Sequence, residues 1–318
     1  MSASRLDTAL DRGLTLPAAP VQVLGPSADY DLSLTPDQAF IVATFRPDVL
    51  AWEARGYRVV QSPEPSDATL VVVPRSKALA RDLVARAGSG LVLVDGQRTD
   101  GIDSIFKACR AELGDLPSIT KAHGRLFWFE GADFSAWQAP PPSKGPEGFY
   151  TAPGVFSDGA IDAGSRLLAE ALPDKLPRRM ADLGAGWGYL SSRALEKTGI
   201  DSIDLIEAEA VALDCARLNV TDPRASFLWE DATTFTPKEA YDGILCNPPF
   251  HTGRAPDSAL GQAFIATAAR ALTSRGQLWL VANRHLPYEA ALRESFAEVA
   301  ETGGDNRYKI FHASRPRR

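Results

Sequence analysis

Short, continuous apolar runs recur along the chain, separated by segments with helical spacing. In the first half the runs are VQVLG (21–25), YRVVQ (57–61), TLVVVP (69–74), LVLVD (91–95) and GRLFWFE (124–130), with a helix-like SKALARDLVARAG between two of them. The second half repeats the alternation. Its spacing predicts a helix over 158–172, a strand over 178–184, a helix from Trp187, a strand over 202–207 and a helix over 209–220. Strands over 225–231 and 241–246, a helix over 257–272 and a strand over 276–283 follow. Unbroken apolar strands alternating with helices imply an α/β fold with a parallel sheet covered on both faces. Between the halves, WQAPPPSKGPEGFY (137–150) is rich in Pro and Gly and reads as a linker. Two domains are expected, 1–140 and 141–318.

Composition narrows the classes. The chain has 318 residues, 45% of them hydrophobic, ample for two cores. No stretch approaches the roughly 20 apolar residues of a membrane span. The start, MSASRLDTALDRG, has no apolar signal core, so a cytoplasmic protein is expected. Cys109, Cys215 and Cys246 lie far apart with no CxxC, and the four histidines show no ligand spacing, so neither disulfides nor a metal is expected. Net charge is −6, so any nucleic-acid partner needs local basic patches. One candidate is the C-terminal stretch with Arg307, Lys309, Arg315, Arg317 and Arg318; the plainer reading is a solubilising tail.

Chemistry concentrates at the strand ends of the second half. After its first strand comes Asp182-Leu183-Gly184-Ala185-Gly186-Trp187-Gly188. Alternating glycines let the backbone turn tightly and approach a ligand closely, and a following helix points N–H groups towards it. A dinucleotide loop, GxGxxG, would need glycine at 189, where this chain has Tyr189. DxGxGxG is instead the loop of class I S-adenosylmethionine (SAM) methyltransferases. Glu207 ends the next strand, where a carboxylate can accept both ribose hydroxyls of a nucleoside. Asp231 ends the third, placed to accept from an adenine amino group. Asp182, Gly184, Gly186, Gly188, Glu207 and Asp231 are thus the expected cofactor residues. The first half has no glycine-rich loop after its first strand.

The fourth strand of this half runs into Asn247-Pro248-Pro249-Phe250. The Asn247 side-chain carbonyl and the Pro248 backbone carbonyl are two acceptors for the two hydrogens of an –NH₂ group. The prolines fix φ and stiffen the pair, and Phe250 offers a face for a planar substrate. Such a clamp aims a nitrogen lone pair at the methyl of a sulfonium, which is catalysis by positioning. It points to transfer onto a planar –NH₂ nitrogen rather than carbon, oxygen or lysine.

These stretches together resemble the bacterial ribosomal RNA (guanine-N2-)methyltransferases, most closely those acting on small-subunit 16S RNA. The resemblance rests on PGVFSDGAIDAGSRLL (153–168), DLGAGWGYLS, NPPFHTG and VANRHLPYE (281–289). In the first half, VDGQRTDGIDS (94–104) followed by GRLFWFE resembles the end of that family's N-terminal domain. The resemblance implies two tandem Rossmann-like methyltransferase domains. The N-terminal one would be a degenerate copy without a SAM site that helps dock RNA. The C-terminal one would be catalytic, with a mostly parallel seven-stranded sheet. It implies that Asn247, Pro248 and Phe250 hold the guanine, with Asn247 also near the cofactor. Phe156, Ser157, His251 and Arg254 would lie near the cofactor or base, and Arg284 is a further basic candidate. The implied partner is ribosomal RNA in a small subunit or an assembly intermediate. The same motif core also serves guanine methylation of 23S RNA and glutamine methylation of release factors. An RNA- or SAM-binding assembly factor with little turnover is the reading from another class.

Overall fold

The computed structural model of the chain describes residues 4–249 and 258–317. The chain divides into two compact units, Met1–Pro141 and Pro142–Arg318.

The first unit contains α1 (Arg5–Asp11), β1 (Val21–Leu24), β2 (Ala39–Val42), α2 (Arg46–Ala54), β3 (Val59–Val60) and β4 (Ala68–Val72). It continues with α3 (Lys77–Arg86), β5 (Leu91–Gln97), α4 (Ile102–Leu113), β6 (Ser118–Lys121) and β7 (Gly124–Glu130). Of these, β2, β6, α1, α2 and α4 do not stand out in the apolar spacing. β2 is four residues, AFIV, all buried, too short to show a period. The sheet order is β3-β2-β1-β4-β5-β7-β6, with β5, β7 and β6 pairing antiparallel and the remaining pairs parallel. The buried Asp95 on β5 is held by Arg5, which donates from Nε at 2.5 Å and from Nη2 at 2.8 Å, and by the Tyr30 hydroxyl at 3.0 Å. Burying that carboxylate is tolerable because its acceptor sites are filled by a cation and a hydroxyl.

The second unit opens with a short hairpin, β8 (Ser143–Lys144) and β9 (Tyr150–Thr151), inside the stretch expected to be a plain linker. It continues with α5 (Ala163–Ala171), β10 (Arg179–Leu183), α6 (Tyr189–Leu195), β11 (Ser202–Glu207), α7 (Ala210–Asn219), β12 (Ala225–Trp229) and β13 (Tyr241–Cys246). Last come α8 (Ser258–Ala271), β14 (Leu272–Asn283), α9 (Tyr288–Ser295), β15 (Phe296–Gly304) and β16 (Tyr308–Pro316). The order β12-β11-β10-β13-β14-β16-β15 repeats that of the first unit, again mostly parallel. Successive β10 residues feed opposite layers: Met180 packs with Leu190 and Leu213 on one face, and Ala181 and Leu183 pack with Phe264 and Ile265 on the other. Two covered faces are why the strands read as unbroken apolar runs.

Two expectations are corrected. The helix expected over 158–172 starts at Ala163, because the Asp162 side chain caps it by accepting from Ser165 N at 2.8 Å; Phe156–Gly159 forms a separate 3-10 turn. The C-terminal stretch is not a tail. It is β16, paired antiparallel with both β14 and β15. Its Lys309 meets Glu289 and its Arg315 meets Glu298, while Arg317 Nε donates to Phe296 O. Ile310, Phe311 and Ala313 are buried, and that apolar share drives the stretch into the sheet.

The matching registers allow a residue-by-residue comparison of the units. Gly25 N donates to Val42 O as Gly184 N donates to Ile206 O, and both glycines have positive φ, 68° and 71°. Leu24 pairs with Val71 as Leu183 pairs with Cys246, and Val42 with Val60 as Ile206 with Leu228. The positions of Asp182, Glu207 and Asn247 are therefore taken in the first unit by Val23, Ala43 and Val72. All three polar groups are replaced by apolar ones.

Candidate active site

Chain order in the second sheet reverses between β10 and β13, and in open α/β sheets ligands sit beyond the carboxyl ends of strands at such a point. Leu183 and Cys246 are partners across these two strands, so the next residues, Gly184 and Asn247, leave the sheet side by side. The glycine loop and the Asn-Pro motif, far apart in sequence, thus face one crevice.

The loop has the backbone that its glycines predict. Gly184, Gly186 and Gly188 have φ of 71°, 55° and 88°, a region costly for other residues. A Cβ at Gly188 would lie 2.9 Å from Val220 and 3.3 Å from Ala216, so this glycine also permits close packing on α7. A Cβ at Gly186 would meet nothing within 4 Å: this glycine faces open space.

Glu207, at the end of β11, folds back over the loop. Its Oε2 accepts from Gly186 N at 2.7 Å and its Oε1 from Glu209 N at 2.8 Å. Burial raises its pKa, partly offset by these two N–H groups. Asp182 is wholly buried. Its Oδ2 accepts from the Ser191 hydroxyl of α6 at 2.7 Å, while Oδ1 has no partner among the described residues. Burial pushes Asp182 up to about 7; the Ser191 bond opposes the rise and the nearby Glu207 charge adds to it. Asp231 Oδ1 accepts from Thr233 N at 2.8 Å and from the Thr233 hydroxyl at 2.7 Å, building the turn after β12. The ends of β10, β11 and β12 therefore carry a carboxylate each around an open glycine cradle. An orphaned buried oxygen, a glycine at 186 that opens onto free space and a carboxylate that has spare lone pairs fit a nucleoside cofactor.

Asn247 is half-buried and Pro248 is buried. Asn247 Nδ2 donates to Ser165 Oγ at 2.7 Å and to Asp162 Oδ2 at 3.0 Å. Phe156 is 44% exposed, unusual for its size, and Ser157 is held at φ 67°. The turn that presents them is anchored by Trp187, whose Nε1 donates to Phe156 O at 3.2 Å. Asn219 of α7 closes the arrangement: its amide donates to Tyr150 O and Trp187 O, and it accepts from Tyr150 N. Arg284 is engaged internally with Glu301, Asp305 O and Tyr308 O. Phe250, His251, Gly253 and Arg254 lie outside the described residues. Asp162, Ser165, Ser191 and Asn219 were not expected from the sequence. Only the Asp-x-x-Ser spacing of a capped helix start, 162–165, carried a signal there.

The profile of the methyltransferase small domain family matches residues 147–312. The ribosomal RNA small subunit methyltransferase C of Shewanella sp. (strain MR-4) is 31% identical over 77% of this chain and 76% of its own length. This chain belongs to that methyltransferase family. The namesake from Psychromonas ingrahamii is 38% identical over 50% of this chain and 46% of its own. Among solved structures, the T. thermophilus 16S rRNA N2 G1207 methyltransferase RsmC, determined with AdoMet and guanosine, matches with a TM-score of 0.74. It is 22% identical and covers 96% of this chain and 91% of the other, a likeness of fold across both units. Among the described residues no helix is long and apolar enough to cross a membrane, and no group of His, Cys, Asp and Glu could hold a metal ion.

Proposed function

We propose that the second unit transfers a methyl group from SAM to the exocyclic N2 of a guanine in 16S ribosomal RNA, within a small subunit or an assembly intermediate in the cytoplasm. The observation that carries this reading is the register Leu183↔Cys246, which sets the cofactor loop and the two-acceptor Asn-Pro motif side by side.

Gly184, Gly186 and Gly188 cradle the cofactor, with Glu207 and Asp231 to receive its ribose and adenine and Asp182 beneath the loop. SAM supplies an electrophilic methyl on a sulfonium. Asn247 Oδ1 and the Pro248 carbonyl accept the two N2 hydrogens, which orients the nitrogen lone pair. Neither group needs to act as a strong base, because the amine can lose its proton during or after transfer. A guanine paired in a helix has N2 engaged, so the base must enter unpaired or flipped. The exposed Phe156 offers an apolar face at the crevice, and Phe250 follows the motif in sequence as a stacking face. The first unit, apolar at the positions equivalent to Asp182, Glu207 and Asn247, serves docking rather than chemistry.

The test is methylation of small subunits from a strain lacking the enzyme, with labelled SAM and nucleoside mass spectrometry. N2-methylguanosine in 16S RNA is expected, and Asn247→Ala should remove it while SAM still binds. Label in protein, in 23S RNA, or on another atom of guanine would overturn the reading.

A further inference from the structure

Resting on that reading, we infer that Asp162 and Ser165 are positioning residues that fix which face of the Asn247 amide meets the substrate. An asparagine amide has one acceptor end and one donor end of nearly the same shape, and only the acceptor end can hold an –NH₂ group. In free solution the two orientations cost the same. Here they do not. Nδ2 has two hydrogens, and both are committed: one to Ser165 Oγ at 2.7 Å, one to Asp162 Oδ2 at 3.0 Å. A carboxylate only accepts, so the flipped amide would place Oδ1 against Asp162 Oδ2 and lose that bond, with two acceptors set face to face; the Ser165 hydroxyl alone could turn to donate. Oδ1 is thereby the end left for the crevice.

The lock is itself held. Asp162 Oδ2 also accepts Ser165 N at 2.8 Å as the cap of α5, and Ser165 is buried, so the two acceptors belong to one helix start. The motif on β13 and the segment before the glycine loop are therefore one device: α5 presents two acceptors, and Asn247 is oriented by them. Ser165 Oγ accepts from Asn247, which leaves its own hydrogen for another partner.

The substitutions that test this keep the cap. Asn and Ser cap a helix as well as Asp does. Asp162→Asn keeps one oxygen for Ser165 N, and that same oxygen holds Asn247 Nδ2, so it is the conservative control. Asp162→Ser still accepts from Ser165 N, but it is one atom shorter and carries a hydroxyl hydrogen, so it no longer excludes the flipped Asn247. Asp162→Ser is expected to lower kcat about 10- to 100-fold, with the SAM dissociation constant and the unfolding midpoint close to wild type, while Asp162→Asn stays within about threefold of wild-type kcat. Ser165→Ala should lower kcat in the same direction as Asp162→Ser by less. If Asp162→Ser keeps wild-type kcat, or Asp162→Asn loses as much as Asp162→Ser, the inference is overturned. That failure differs from failure of the underlying reading, in which Asn247→Ala would itself retain N2 methylation.

Discussion

The Gly186 amide donates to Glu207 Oε2 at 2.7 Å, so the loop after β10 is pinned by the residue that ends β11. One carboxylate thus shapes the cradle and also faces the place where a ribose is expected. Because its other oxygen takes Glu209 N, both sides of the carboxylate are fixed before any ligand arrives. Preorganisation of this kind lowers the ordering cost of binding.

Glu207→Gln keeps the shape but leaves one carbonyl for two backbone donors and turns an –NH₂ towards one of them. Hydrogen bonds to a charged group contribute about 1.5–3 kcal/mol. SAM affinity should fall roughly 10- to 100-fold, measured by calorimetry. An affinity within about twofold of wild type would show that Glu207 is a strut for the loop and nothing more.

Asp182 makes stability depend on pH. Its folded pKa of about 7 lies above the unfolded value of 3.8, so the folded state holds the proton more tightly. The resulting stability is fully present below about pH 4 and is lost as pH rises to about 7. Asp182→Asn removes that dependence and can still accept from Ser191. Between about pH 4 and pH 7 the variant should gain on wild type by a few kcal/mol, at about 1.4 kcal/mol for each tenfold difference in proton affinity, with no further gain above. Denaturant midpoints across that range decide it: parallel curves for the two proteins would mean that Asp182 is charged throughout.

The loop glycines separate stability from binding. Gly188→Ala combines a φ of 88° with a Cβ 2.9 Å from Val220, and should cost more than about 2 kcal/mol of stability. Gly186→Ala meets open space, so its cost is the backbone alone, about 1–2 kcal/mol. That Cβ projects into the cradle, however, and SAM affinity should fall more in Gly186→Ala than its stability does. Thermal melts with and without SAM measure both. Equal ligand-induced shifts in wild type and Gly186→Ala would remove Gly186 from the cofactor surface.

Much of the second unit is legible in the chain because its signals are local. SIDLIE and YDGILC form β11 and β13 with the expected limits, since a strand buried on both faces is a contiguous apolar run. The glycines at 184, 186 and 188 are demanded by backbone conformation, and a backbone demand is written at one position. The Asn-Pro motif is likewise a local string. The last stretch misleads because its arginines and lysine dominate the composition. The buried Ile310, Phe311 and Ala313 and partners on β14, β15 and α9 override that charge.

The sequence by itself determined the cradle, the carboxylates at three strand ends and the two-acceptor motif, because each follows from the geometry or chemistry of a few adjacent residues. Only the tertiary structure decided what those groups face. The register of β10 against β13 sets Gly184 beside Asn247. Packing of α6 on the sheet gives Asp182 its serine. The repeat between the units, invisible in the residues, is plain in strand order and register, since a sheet conserves hydrogen-bond geometry while Val23, Ala43 and Val72 replace Asp182, Glu207 and Asn247. The orientation of the Asn247 amide depends on residues 82 and 85 positions away. A hydrogen bond across that separation leaves no period or spacing in the chain, and it exists only once the sheet has folded.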